Sequence, residues 1–444
     1  MAPQKLDLVL NGTHTTFSFT DSHFFVNRRG RGQLPTQYVP SRGKLTPIAV
    51  TVKSSLGVPL QRVLWAESTD SGTVVHVLAK KSRHGPLALV KVEGILSQGD
   101  EDELSKEWVR LLMDAAYAGH VFNHFILRIK RQRRLKIFVN PRSGPMIYKG
   151  NAKSLFKKRV EPILKAARCS LDIVYTQRQN HAAEIAAELP LDDFDAVLTV
   201  SGDGMVHEIF NGFATHKEPL KALSIPIVPM PAGSGNGSAL NLLGLKEGLD
   251  ISAAALSAIK GHPMKVDLCS IMQNGKRTLS FMSQSIGLMA DVDLGTEHLR
   301  WMGSNRFLYG FIRGLITRKT CPVSISIKAT ETDKIKWDFM QFPVSLANDG
   351  TIDVVIQEHV TSRGDLLKAM GGAETGWGFW RDSSHYFKAH AYRVKPLSKK
   401  GYLSVDGEKF PFEEFLVEVH QGLGTVMSLH GHYPTKFDVP PPGK

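Results

Sequence analysis

The stretch DAVLTVSGDGMVHEIFNG, residues 195–212, decides the fold. Its opening run, DAVLTVS, reads as a strand; Ser201-Gly-Asp-Gly204 turns the chain, and a helix is predicted near 205–214. The same order recurs on either side. LKIFVN (135–140) leads into Asn140-Pro-Arg-Ser-Gly144 and a helix near 151–168, and LDIVYT (171–176) leads into a helix near 180–189. SIPIVPMPA (224–232) runs into Pro231-Ala-Gly-Ser-Gly-Asn236 and a helix near 236–243. Such a βαβα series predicts an α/β lobe over 135–264 built on a parallel sheet, with its ligand at the C-terminal strand ends.

Three glycine-bearing turns at successive strand ends point to one anionic ligand. Glycine lets the backbone approach closely and aim N–H groups at oxygens, and the helix that follows adds a favourable field for phosphate. A nucleoside triphosphate fits. The chain has no Gly-x-x-x-x-Gly-Lys-[Ser/Thr] and no Gly-x-Gly-x-x-Gly opening a helix, so neither a P-loop nor a Rossmann dinucleotide site is supported. Asp203 sits between two glycines. Its carboxylate can take the proton of an attacking hydroxyl, help hold Mg²⁺, or simply bond its own turn.

The flanking regions read differently. From residue 4 to about 93, seven or so short β-rich runs are punctuated by Gly, Pro and Ser. Asp100-Glu-Asp-Glu103 then opens SKEWVRLLMDAAYAG, where Trp108, Leu111, Leu112, Ala115 and Ala116 recur at helical spacing. Strands closed by one amphipathic helix resemble the pleckstrin-homology layout, here expected over 1–125. The cationic run IKRQRRLK (129–136) marks a basic linker over 126–134, either solvated or facing a membrane. No aromatic residue interrupts that run, so nucleic acid is not an expected partner. After about 264, strand-like runs dominate and only 293–317 and 362–371 look helical. A separate antiparallel, sandwich-like β lobe is expected over 265–430, then a tail over 431–444, with the site between the lobes.

The 444 residues carry a formal charge of +13, and residues 1–136 hold 20 Lys/Arg against 11 Asp/Glu. This surplus favours an anionic surface or ligand. Cys169, Cys269 and Cys321 show neither disulfide nor zinc spacing, which suits a reducing, cytoplasmic setting. There is no signal-peptide pattern and no apolar run near the ~20 residues that span a bilayer, so membrane contact is expected to be peripheral. Arg28, Arg29, Arg31, Arg42 and Lys44 are the candidate contacts. Two sequon matches, at Asn11 and Asn236, are read as accidental without a secretory route.

NPRSG (140–144), TQRQNHA (176–182), SGDGMVHEIFNG (201–212) and MPAGSGN (230–236), in that order, resemble the catalytic region shared by sphingosine, ceramide and diacylglycerol kinases, and the likeness returns at SVDGE (404–408). GLMADVDLGTEHLRWMGSNRF (287–307) is similar to the sphingosine kinases in particular. The resemblance implies ATP and Mg²⁺ as cofactors, Asp203 as catalytic base and a sphingoid-base substrate. It implies that Asn140, Pro141, Arg142, Thr176, Asn180, Glu208, Gly233, Ser234 and Gly235 surround the nucleotide, that Arg300 and Arg306 meet its phosphates, and that Asp406, Gly407 and Glu408 close the site. The lipid falls to Ser201, Gly202, Asp203, Gly204 and Asp293, with Leu288, Met289 and Val292 beside it. Phe307, Leu308, Phe311, Ile312 and Leu315 are candidates for an acyl pocket. Gln179 stands where the family pattern often has a basic residue; His181 and His207 have no assigned role, and the pattern names no metal ligand.

Overall fold

The computed structural model describes residues 5–10, 13–28, 37–41, 44–48, 55–70, 72–83, 85–96, 101–122, 125–144, 151–303, 305–317, 321–329, 346–357, 361–371 and 384–435. The chain divides into two compact units, one of residues 1–135, 154–172 and 250–262, the other of 136–153, 173–249 and 263–444.

In the first unit, β1 (Lys5–Leu10), β2 (Thr13–Phe19), β3 (His23–Arg28), β6 (Ser55–Pro59), β7 (Val63–Thr69), β8 (Gly72–Lys80) and β9 (Leu87–Leu96) form an antiparallel sheet in the order β6-β3-β2-β1-β9-β8-β7. Strands β4 (Gln37–Ser41) and β5 (Lys44–Ile48) pair as a separate hairpin, as do β10 (His120–Phe122) and β11 (Phe125–Leu127). Alternating burial along β1 to β3 gives the sheet one apolar face. Helix α1 (Glu101–Ala116) covers it, and the fully buried Trp108 stacks edge-on or tilted against Phe17, Phe19 and Phe24. Arg28 is only 9% exposed, which removes it from the expected membrane contacts; Arg29, Arg31 and Arg42, and the side chain of Lys44, lie outside the described residues.

One helix of this unit escaped the sequence reading. Helix α8 (Ile251–Lys260) is buried along its whole length; Asp250 caps it by accepting from Ser252 N at 3.0 Å, and Asp250 also accepts from Leu87 N at 2.6 Å. Its carboxyl end recruits Arg133, which donates to the carbonyls of Ala258 (2.9 Å) and Gly261 (2.6 Å). Arg133 of the cationic run is thus buried and bonded, not a solvated linker residue.

The second unit is organised by a ten-stranded sheet. The remaining strands are β12 (Arg134–Val139), β13 (Ser170–Tyr175), β14 (Ala196–Ser201), β15 (Ile227–Pro231), β16 (His262–Gln273), β17 (Lys276–Ser280), β18 (Gln284–Ile286), β19 (Val323–Ala329), β20 (Ile352–Gln357), β21 (Ser384–Pro396), β22 (Leu403–Val405), β23 (Glu408–Phe410) and β24 (Phe415–Ser428). Their order is β13-β12-β14-β15-β24-β16-β17, with β21 on β24 and both β19 and β20 on β21; β18-β22-β23 form a small sheet apart. The expected pair of separate lobes is corrected here. Strand β24 pairs parallel with β15 at Ile227↔Val426 and antiparallel with β21 from Ala391↔Glu418 to Val394↔Phe415. One 14-residue strand is long enough to serve both neighbours, so the α/β sheet and the later β sheet are a single mixed surface.

The expected helices are present: α2 (Ala152–Leu155), continued through 156–160 into α3 (Glu161–Ala166), α4 (His181–Ala187), α5 (Asp203–Ala214), α7 (Gly237–Leu243), α10 (Asn305–Thr317) and α11 (Arg363–Gly371); α6 (Pro219–Leu223) and α9 (Leu288–Leu294) are additional. Strands β14 and β15 are buried at every residue, which is why their sequences run apolar without alternation. Ile209, Phe210 and Phe213 of α5 pack with Val197, Ile227 and Val426 in the main core. No described helix is long and apolar enough to cross a membrane.

Lys260, 1% exposed, donates its amine to Ala116 O at 2.7 Å and lies over the Tyr117 ring. Burial, with Arg131 and Arg133 nearby, holds its pKa well below the ordinary 10.5. The unfolded chain therefore binds more protons between the folded value and 10.5, so stability rises with pH there and is lost as pH falls through the folded value. Lys260→Met is expected to flatten that slope in urea unfolding series from about pH 6 to pH 10; an unchanged slope would show that the amine stays charged in the fold.

Candidate functional site

The three glycine turns meet. Asn140 N donates to Val200 O (3.2 Å), Ser143 Oγ to Ala232 O (3.0 Å), Ala232 N to Ser201 O (3.0 Å) and Asp203 N to Gly235 O (3.2 Å), so the ends of β12, β14 and β15 are bonded into one rim. Thr176 joins from the end of β13 through its N–H to Val139 O. The glycines are needed for this approach. A Cβ on Gly233 would stand 2.4 Å from the Gly202 Cα, and one on Gly202 would stand 2.6 Å from Gly235 O. Asn236 closes its own turn, accepting from Gly233 N and donating to Gly233 O, both at 2.9 Å. Asn140 does the same for the Pro141-Arg142 turn by accepting from Arg142 N at 3.0 Å.

Helix α5 starts at this rim and sends three side chains to three different elements. Asp203, 8% exposed, accepts from Gly237 N (2.7 Å) on Oδ2, and from Ser238 N (3.0 Å) and Ser238 Oγ (2.5 Å) on Oδ1. Burial pushes its pKa up; the donors of Ser238 and Gly237 pull against this, and the charge of Asp406 adds to the rise. Glu208 accepts from Ala182 N at 3.2 Å at the start of α4, where Asn180 adopts φ 62°; burial raises its pKa as well.

His207, left without a role by the sequence, is half of a buried ion pair. Its Nδ1 lies 2.9 Å from Asp406 Oδ2. Burial alone would lower the imidazole pKa, but the bond and charge of Asp406, aided by Glu408 and Glu208, raise it above the ordinary value. Asp406 also accepts from Ser280 Oγ and from the backbone N–H groups of Phe281, Met282 and Ser283, at 2.8 to 3.0 Å. Its carboxylate is committed to holding the chain at 280–283. What faces outward is the rest of its turn. Asp406 (φ 51°) and Gly407 (φ 86°) form a tight hairpin between β22 and β23. Glu408 Oε1 comes within 2.5 Å of where a Gly204 Cβ would sit, and Glu408 Oε2 is 3.5 Å from Gln179 Nε2.

Asp293, on α9, accepts from Ser404 Oγ at 2.6 Å. Arg306, 5% exposed, lies 3.5 Å from Asp293 Oδ1 and donates to Asp293 O (2.9 Å) and Thr296 Oγ1 (3.3 Å). The structure thus joins Arg306 to Asp293; the side chain of Arg300 lies outside the described residues. Val292, Phe311 and Leu315 are buried together, with Leu288 and Phe307 packed against them. Met289 (48% exposed), Leu308 and Ile312 face outward instead.

A cleft of about 290 Å³ is lined by Gln179, Asn180, His207, Glu208, Glu408 and Phe410, among others. A larger recess of about 620 Å³, bordered by residues 187–193 and 216–218, contains no motif residue. Among the described residues no group of three or more His, Cys, Asp or Glu side chains is gathered to hold a metal.

With this geometry in hand, comparison with known proteins is specific. The diacylglycerol kinase catalytic domain matches residues 134–271. Sphingoid long chain base kinase 4 of Schizosaccharomyces pombe is 29% identical over 445 residues, spanning 88% of this chain and 92% of that protein. Sphingosine kinase 1 of Arabidopsis thaliana is 32% identical over 318 residues, spanning 66% of this chain and 61% of that protein. A solved structure named for diacylglycerol kinase from Bacillus anthracis superposes with a TM-score of 0.50 at 22% identity, over 67% of this chain and 99% of that one, and shows the fold of the catalytic region. Residues 134–271 are a diacylglycerol kinase catalytic domain, homologous to sphingoid long-chain-base and sphingosine kinases of several species, and ATP-dependent kinase activity goes with it.

Gly233→Ala tests the rim directly, because its Cβ would meet backbone and not a movable side chain. Turnover of ATP is expected to fall by about 100-fold, the scale of a 1 Å misplacement, with the far-ultraviolet circular dichroism unchanged. Full activity in this variant would show that the two turns do not need their close approach.

Proposed function

We propose that this chain transfers the γ-phosphate of ATP to the primary hydroxyl of a sphingoid long-chain base. The observation that carries the reading is the hairpin at 405–408. It reaches the Asp203 turn through Glu408 against Gly204 and the α9 carboxylate through Gly407, whose Cβ position is 3.7 Å from Asp293 Oδ2. A base and a head-group carboxylate are thereby tied to one element. In the step itself the hydroxyl oxygen bonds to the γ-phosphorus while the bond from that phosphorus to the bridging oxygen breaks; the hydroxyl proton passes to Asp203 and ADP leaves. Catalysis of this kind is chiefly positioning and charge neutralisation. The glycine rim supplies N–H groups to the phosphates, and Mg²⁺ would be held mainly by phosphate oxygens and water.

Asp293 is what favours a sphingoid base. A protonated amine can share its carboxylate with Ser404 and Arg306 in a charge-assisted bond, and the names of the relatives point the same way. Diacylglycerol or ceramide is the second reading, favoured by the domain that matches residues 134–271; neither lipid offers Asp293 a cation. Sphinganine, ceramide and diacylglycerol offered in parallel with radiolabelled ATP should give label in sphinganine, and Asp293→Asn should raise its KM about 10- to 150-fold, the worth of a charged hydrogen bond. Label in diacylglycerol alone would overturn the sphingoid reading.

A lipid substrate must be met at a bilayer. The seven-stranded antiparallel sheet and the α1 helix that covers it support a pleckstrin-homology-like reading of the N-terminal region, and residues 1–136 carry the basic surplus. We read it as a peripheral docking module for anionic membrane on the cytoplasmic side. Full-length protein should sediment with vesicles containing phosphatidylserine and lose that binding at high salt; equal binding to neutral vesicles would reject the electrostatic role.

A further inference from the structure

The three bonds to Asp203 are distributed unevenly over its carboxylate. Oδ1 takes both the N–H and the hydroxyl of Ser238, while Oδ2 takes only Gly237 N–H. A carboxylate oxygen has two lone-pair directions. Oδ1 is therefore saturated and Oδ2 keeps one direction open. The surroundings of Oδ2 agree with that count, since positions 235 and 237 carry no side chain and a Cβ there would stand only 3.7 and 3.6 Å from it. Phe307 of α10 borders the same space, 4.0 Å from the Gly235 Cβ position. Oδ2 thus lies beside Gly235 and Gly237, with Phe307 at the edge of the same space and Met282 Sδ 2.9 Å from the Gly237 Cβ position.

We infer that Oδ2 of Asp203 is the atom that accepts the substrate's hydroxyl proton, and that Ser238 is a positioning residue that occupies Oδ1 and so fixes the carboxylate with Oδ2 open. This rests on the reading of Asp203 as the base. The backbone N–H groups of Gly237 and Ser238 would hold the carboxylate's place with any residue at 238; the hydroxyl is what this side chain adds. It also sets basicity, because its bond to the ionised form opposes the rise that burial imposes. The other charged group acting on Asp203 is Asp406, itself held by His207, and Glu408 lies against Gly204 next to it.

The test is the pH dependence of kcat/KM with a sphingoid base and ATP. Removal of the hydroxyl in Ser238→Ala should raise the Asp203 pKa, so the acid limb moves up by about one pH unit. Ser238→Thr should bring the limb back to its original position, and Ser238→Cys, a weaker donor, should fall between. A uniform loss at every pH in Ser238→Ala, or an unmoved limb, would overturn the role of Ser238. Asp203→Asn separates the two readings: it should abolish turnover, and if it does not, the base assignment fails whatever Ser238 does. Thermal melting of each variant against the parent guards against a trivial folding defect, and the Thr and Cys variants keep the order of limbs decisive if Ala unfolds.

Discussion

Two stretches of backbone pass each other at Gly202 and Gly233 with no room for a side chain, and the rest of the site is arranged around that contact. Because β14 and β15 are neighbouring parallel strands, their turns emerge side by side, Ser201 opposite Pro231. Glycine at both positions lets the turns close on each other, and once closed they direct Asp203 N to Gly235 O and the Asp203 carboxylate to Gly237 and Ser238. The Asp203 carboxylate is thus placed mainly by backbone. Backbone donors are already fixed by the sheet and helices, so they hold a charge without the entropy cost of ordering long side chains.

This explains what could be read in the chain and what could not. The glycine turns, the strands before them and the helices after them are local patterns, and each was visible within a dozen residues. The His207–Asp406 pair joins residues 199 apart, and nothing local to either marks it. The resemblance implies a phosphate ligand in Arg306, and its half-buried partner Asp293 lies on α9, so only the fold brings the two together. Helix α8 did leave a signal, an Asp cap, an Ala-rich run and a glycine stop, but it followed a series of strands and turns that drew the reading elsewhere. The continuity of the sheet was hidden because β24 pairs in opposite senses along its own length, and pairing partners are not a property of one segment.

The buried charges show how the second half of the chain is bound to the first turn. Asp406 has five donors, four of them on residues 280–283. A buried carboxylate with so many partners is satisfied, whereas one stripped of them would cost several kcal/mol. The hairpin that carries Glu408 therefore cannot drift from residues 280–283, and His207 ties the same carboxylate to α5, one turn after Asp203. Local rigidity of this kind suits a reaction whose catalysis is largely placement.

Asp203 and Asp406 also oppose each other. Both are buried, and the charge of Asp406 is among the influences that raise the Asp203 pKa. Left alone, two such carboxylates would favour protonation of one, which would disable a base. The two are bonded unequally: Asp406 receives five donors including an imidazole, and Asp203 receives three, two of them from a single serine. His207, whose imidazole pKa is raised by its bond to Asp406, stands between that carboxylate and the start of α5.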